Sequence, residues 1–252
     1  MRYWLKTVRH LLTHTSGIKG FIGKEQTLDP TKDIKPEDVI ESVRNLPLKF
    51  PPGEKYSCSN TGYHLLGLII RQVTGKDWGD FVRERILDPL DMRDTRVISP
   101  SDSGTNFAAG YFWRNGKFQN GYFVAPTILA FAGGGLLSTV LDLAKWDAAL
   151  YTDKLLKKSS LDQMWTAFKL KDGSDSPKAI CWSVTKYNGH RLICQTGSHN
   201  TGFMSAMLRF MDDKLTVIVL LNLANANRNG VDIAEGVAAF YIPGLNETAS
   251  DR

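Results

Sequence analysis

Tyr63, Leu66, Ile70 and Val73 recur at three and four residues, a spacing that predicts a helix from about Thr61 to Thr74 with one buried face. Gly75 is placed to stop that helix in the left-handed conformation. Ahead of it, Pro51-Pro52-Gly53 reads as a turn and Lys55 to Asn60 as a short polar segment. Cys58, Ser59 and Asn60 therefore stand on a rigid connection at the mouth of a helix, where side chains are offered to a cleft. Thr7 to Gly17 reads as a short helix ending in a Thr/Ser/Gly loop, and further helices are predicted from a start at Lys35 to Ile40 to an end near Leu46-Pro47, from Asp77 through Leu87 and from Val140 to Leu150.

From Ala179 onward the period shortens to two. Strands are predicted over 179–186, 190–196, 203–210 and 214–222, with tight turns at Asn188-Gly189 and Asp212-Asp213. Residues 107–113 and 117–123 alternate around Asn115-Gly116, a strong hairpin signal. A last helix follows from about Val231 to Tyr241, and 242–252 reads as a frayed polar tail. The expected architecture is one α/β domain over 1–252, an antiparallel sheet at about 179–241 flanked by helices, with a mostly helical lobe at about 39–150. Leu215 to Leu221 is apolar at nearly every position, which normally marks a central strand covered on both faces.

Composition narrows the function classes. Hydrophobic residues make up 42% and charged residues 23%, ordinary for a globular chain, and the net charge of +5 is spread without a basic run. Nucleic-acid binding is therefore not expected. No window is long and apolar enough to span a membrane, and no signal-peptide core follows Met1. Cys58, Cys181 and Cys194 are too few and too irregularly spaced for a disulfide framework or a cysteine-based zinc site. His10 and His14 lie four apart, but no Glu or third ligand accompanies them, so no metal or cofactor is expected and their role reads as structural.

Several segments resemble, in order, the serine β-lactamase, DD-peptidase and esterase superfamily. Thr7-Val8-Arg9-His10-Leu11-Leu12-Thr13-His14-Thr15-Ser16-Gly17 is similar to its Thr-x-Arg-His-Leu-Leu-Thr-His-Thr-Ser-Gly segment. Cys58-Ser59-Asn60 stands in the place of its Tyr-x-Asn motif, Ala132 to Thr139 resembles its glycine segment near the active-site floor, and Gln195-Thr196-Gly197 takes the place of Lys-Thr-Gly or His-x-Gly. Ala179-Ile180-Cys181-Trp182 falls where the family often has Gly-Phe-Gly-Trp. The resemblance implies a β-lactamase/transpeptidase-like fold, here without the family's N-terminal strands and nucleophile helix. It also implies hydrolysis of a small ester, amide or peptide through an acyl-enzyme. Relatives of this kind are often exported; this chain itself names no compartment.

That reaction needs a serine, a base and backbone donors for the oxyanion. Two Ser-x-x-Lys matches occur. Ser16 to Lys19 has Gly17 inside and Gly20 after it, which disfavours a helix, and Ser183 to Lys186 falls in a predicted strand, where residues three apart face opposite ways. Of the two, Ser16 with Lys19 is retained as a weak nucleophile candidate. Cys58 and Asn60 are the second-motif candidates, and Gln195, Thr196 and Gly197 the third-motif candidates. Gly134, Gly135 and His199 are candidates for substrate contact. Gln195 keeps hydrogen-bonding capacity but lacks the family's cation, and Cys58 reads as an apolar filler of the tyrosine's space. The expectation is a β-lactamase-related serine hydrolase impaired in this chain. The alternatives are a non-catalytic binding module and the C-terminal part of a longer hydrolase. Without the strands that flank it in the family, Leu215 to Leu221 would be an open edge through which the chain could self-associate.

Overall fold

Alternation of large apolar residues over 192–217 builds the sheet around which the molecule packs, as seen in a computed structural model that describes residues 7–21, 28–98 and 107–245. In chain order the elements begin with α1 (Val8–Leu12), α2 (Pro36–Arg44), α3 (Asn60–Thr74) and α4 (Trp78–Val82). They continue with β1 (Arg96–Val97), β2 (Tyr111–Arg114), β3 (Lys117–Asn120), α5 (Pro126–Leu129), β4 (Leu136–Leu137), α6 (Val140–Ala149) and α7 (Lys158–Met164). The C-terminal part holds β5 (Ser183–Tyr187), β6 (His190–His199), β7 (Phe203–Phe210), β8 (Leu215–Leu221) and α8 (Gly230–Ala238).

The main sheet is antiparallel in the order β5-β6-β7-β8, so among the described residues β8 is an edge and not a central strand. Its apolar character is explained by helices on both faces, α8 on one and α6 on the other. One face of the sheet presents Leu192, Ala206, Leu208, Phe210 and Val217 to Ala234 and Ala238 of α8. The opposite face presents Ile193, Met207 and Ile218 to Trp146, Trp165 and Trp182. Arg209 lies on this second face, fully buried, with its Nε 2.5 Å from Asp147 Oδ1 and its guanidinium between the rings of Tyr151 and Trp165 at 4.9 Å from each. Neither terminal nitrogen of Arg209 makes a hydrogen bond, and the two aromatic faces stand in for acceptors.

Differences from the sequence reading have local causes. The strand expected from Ala179 starts at Ser183, because Cys181 adopts a left-handed φ of 62° that no strand accommodates. Beyond α8, Ile242 and Leu245 are buried in the core against the sheet, so 242–245 is packed and not frayed; 246–252 lies outside the described residues. Helix α3 buries Thr61, Gly62, His64 and Gly67, whereas Val73 is 78% exposed. The helix packs through its small residues: a Cβ on Gly67 would lie 2.8 Å from Ala132 Cβ. Hydrophobic spacing alone overlooked glycines as contact points. The helix predicted through Leu87 runs as α4 and then widens into a π-turn over Arg83–Leu87.

Candidate active site

The Pro51 to Asn60 segment is held by backbone pairing to the loop after α1. Lys49 N donates to Gly17 O at 2.8 Å, Gly53 N to Thr15 O at 2.8 Å and Ser57 N to His14 O at 2.9 Å. Ser59 then caps α3, its Oγ accepting from Gly62 N at 3.3 Å. Because the segment is extended, neighbours alternate: Ser59 is buried, while Cys58 and Asn60 on either side of it are exposed. The Ala132 to Gly135 turn supports this corner, for a Cβ on Gly133 would meet Asn60 at 3.1 Å. Gly134 has open space around it.

The third-motif positions lie on β6. Gln195 shares the sheet face of Ile193 and Met207, toward the helical lobe, and Thr196 and Gly197 after it are exposed. A relay of side chains joins them to the α3 corner. Ser59 N–H donates to His14 Nδ1 at 3.1 Å, which places the proton of the neutral ring on Nε2, 3.8 Å from Cys181 Sγ. Gln195 Nε2 donates to the same sulfur at 3.2 Å, while its Oε1 accepts from Lys178 Nζ at 3.1 Å. The amide's orientation follows from its partners, since an ammonium can only donate.

Burial, with the Lys178 charge nearby, lowers the His14 pKa to about 4, so the imidazole is neutral at pH 7 and acts toward Cys181 as a donor. Burial likewise raises the Cys181 pKa, against opposing contributions from Tyr63, Lys178 and Gln195, and the sulfur is held as a thiol. Burial pushes Tyr56 up to about 12, with the adjacent Cys58 thiol adding to the effect, and raises Tyr63 further. Tyr63 gives its hydroxyl proton to Leu12 O at 2.9 Å. None of these phenols is a base near neutral pH. The arrangement can accept and donate hydrogen bonds.

Other candidates fall elsewhere. Ser16 is 1% exposed, in a loop where its Oγ accepts from Ile18 N at 3.3 Å, and Lys19 follows without a helix between them. His199 ends β6 with Nδ1 2.8 Å from Thr201 Oγ1, and its pKa is lowered by burial. It stiffens the turn that the β2–β3 hairpin backs, where Tyr122 N donates to Asn200 O at 2.8 Å. His10 caps its own helix through Thr7, and His14, at φ 56°, has left the helix, so the two do not share a face. Sequence reasoning missed Lys178 and the meeting of Cys181 with His14. The available signal was Cys181 standing where the family has glycine, in a conformation that favours glycine.

Comparison with known proteins agrees with the geometry. The family model described as Beta-lactamase matches residues 3–241. A penicillin-binding protein of Bacillus subtilis (strain 168) is 29% identical over 235 residues, covering 86% of this chain and 51% of the relative. The solved structure of a penicillin-binding protein homologue from Pyrococcus abyssi, described as octameric, superposes with a TM-score of 0.75 at 26% identity over 93% of this chain and 55% of that one. A D-stereospecific amidohydrolase from Streptomyces sp. superposes with a TM-score of 0.77 at 25% identity over 94% of this chain and 72% of that one. The chain spans about half the length of the curated relatives it matches. With the family model matched over nearly the whole chain and the fold shared with these structures, the chain belongs to the β-lactamase family.

Proposed function

We propose that this chain is the substrate-binding body of a β-lactamase-related hydrolase for small amides, esters or peptides, and that alone it binds such ligands without forming a serine acyl-enzyme. The contrast in access at the α3 corner carries the reading: Cys58 and Asn60 are exposed, while Ser59 and Ser16 are buried and engaged in backbone hydrogen bonds. A serine nucleophile must reach the substrate carbonyl and pass its proton to a base. Ser16 meets neither condition, and the neutral His14 has Nδ1 occupied by Ser59 N–H. Exposed Thr196 and Gly197 on β6 leave a strand edge from which backbone donors can hold a carbonyl oxygen. The Streptomyces neighbour, by its description a D-stereospecific amidohydrolase, favours amides and peptides of D-residues as the ligand class.

The test combines a fluorophosphonate probe, p-nitrophenyl acetate turnover and calorimetric titration with N-acetyl-D-alanyl-D-phenylalanine amide. Saturable binding of the amide with no covalent label and no turnover is expected. Labelling that Ser16→Ala abolishes overturns the assignment of the chain as a binder, and turnover that Cys58→Ser abolishes gives the thiol a chemical role.

A further inference from the structure

The main sheet ends in two edges of opposite character. β5 presents Thr185 and Lys186 to solvent, the polar and charged surface that keeps an edge from pairing. β8 reads Leu215-Thr216-Val217-Ile218-Val219-Leu220-Leu221, without a charge or a proline, and among the described residues no strand pairs with its outer side. Its register with β7 runs unbroken from Met204 opposite Leu221 to Phe210 opposite Leu215, so no bulge bends this edge away. A second apolar surface borders it. α8 packs over β7 and β8 with Ala234 and Ala238 against the sheet, and Glu235 reaches toward β5, where it bonds the Tyr187 hydroxyl. Successive helical residues are turned by about 100°, so the flank opposite Glu235, with Ile233, Val237 and Phe240, lies on the β8 side. Val237 is 38% exposed and Phe240 88%, and Leu220 of β8 itself is 40% exposed.

We infer that the β8 edge and this flank of α8 are the interface of a homodimer, in which β8 pairs antiparallel with β8 of a second copy of this chain. Symmetry and spacing select that occupant. A twofold axis through Ile218, normal to the sheet, lays the strand against itself reversed: Val217 meets Val219 of the second copy, Thr216 meets Leu220 and Leu215 meets Leu221, so the whole strand pairs and no like charges are opposed. Two four-stranded sheets become one of eight, ended on both sides by β5 with its Lys186. The same axis keeps both α8 helices on one face of the joined sheet. Each sits over its own β7–β8 pair and neighbouring strands lie about 4.8 Å apart, which brings the helix axes to about 10 Å, a normal packing distance. Val237 and Phe240 then fill the space between the helices. A strand from another polypeptide would satisfy the β8 backbone without bringing an apolar helix flank at that spacing; a second copy brings both. Because the contact is twofold it uses up the edge, and association stops at two chains. Cys58, Asn60 and Gln195 to Gly197 take no part in it, so the dimer does not depend on the binding role proposed above.

Sedimentation velocity over a concentration series tests this, with hydrogen exchange of the β8 amides as the local readout. A species of twice the chain's mass is expected to grow with concentration, and the outward amides of Leu215 to Leu221 should gain protection as it forms. Val237→Lys combined with Phe240→Lys sets like charges between the two helices at positions that already face solvent, and should weaken the dimer on the order of tenfold or more. The urea midpoint of the dilute variant should match that of the unmodified chain, which shows that it is folded. Leu220→Lys, on the strand itself, should weaken the dimer likewise, whereas Val8→Lys, exposed on α1, should leave it intact. A chain that stays monomeric at every concentration overturns the inference and leaves the edge to a strand from another polypeptide. Open-ended aggregation overturns it as well, and so does a dimer that survives the α8 and β8 variants with no change in β8 exchange.

Discussion

The two faces of the main sheet are built from the same strands and do different work. On the α8 side, even-numbered residues of β6 and β7, Leu192, Ala206, Leu208 and Phe210, form an apolar layer closed by Ala234, Ala238, Ile242 and Leu245. On the other side, the odd-numbered residues include Ile193 and Met207 but also Gln195 and Arg209, so the layer mixes packing with a buried ion pair and the relay to His14. A pleated strand turns successive side chains to opposite faces, so one strand can anchor the core with one set and serve a cleft with the other. The buried ion pair lies on the side away from α8, while the α8 side holds the Tyr187 hydroxyl hydrogen-bonded to Glu235.

The largest effects should separate the faces by stability. Arg209→Ala leaves Asp147 uncompensated in a mostly buried position and should cost about 3–5 kcal/mol, read as a fall in the urea unfolding midpoint. Replacing the pair together, Arg209→Met with Asp147→Leu, should recover most of that loss. If the single change is as mild as the double, the ion pair is not what orders this face.

Leu208→Ala, on the apolar face, should cost roughly 3 kcal/mol by the same assay, since it opens a cavity in a fully buried layer. Gln195→Ala, nearby on the cleft-facing side, should cost under about 1 kcal/mol. A comparable loss at both positions would break the distinction between an anchoring face and a serving one.

His14 gives the side away from α8 a pH signature of its own. Its folded pKa of about 4 lies below the ordinary 6.5, so the unfolded chain takes up the proton first. Its contribution is complete above about pH 6.5 and lost as the pH falls toward 4, amounting to roughly 2 kcal/mol after allowance for residual solvent. The other lowered histidines add to the same trend, so the measurement is a difference. Urea midpoints at pH 7 and pH 4.5 should move less in His14→Gln, which retains an acceptor for Ser59 N–H, than in the unmodified chain.

The smallest effect concerns Cys181. A non-glycine residue in the left-handed region costs on the order of 1 kcal/mol, which Cys181→Gly relieves while giving up the contacts to sulfur and some unfolded-state entropy. The thermal midpoint of Cys181→Gly should therefore stay within a few degrees of the unmodified chain, whereas Cys181→Ala keeps the strain and loses the contacts, and should fall below it. The reverse order would mean that the thiol, and not the backbone, holds this corner.

Much of this was legible from local pattern. The span of β7 and the stop of α3 at Gly75 follow from periodicity and capping chemistry read over a few residues, and β8 falls within one residue of its expected ends. Less legible was which apolar residues would be covered: Val73 matched the helical stripe yet faces solvent, because α3 approaches its neighbours through Gly62 and Gly67. The cleft was half legible. Cys58, Asn60 and Gln195 to Gly197 are found by motif, but Lys178 and Cys181 reach Gln195 only when the 178–182 segment folds back along β6, with His14 arriving from the other end of the chain.

By itself the sequence determined the elements and the family, because hydrophobic period, turn residues and motif spacing are short-range properties written in consecutive positions. Tertiary structure alone decided which side chains surround Gln195: the hydrogen bond it accepts from Lys178, seventeen positions earlier, depends on a distance set by how strands pair and helices pack.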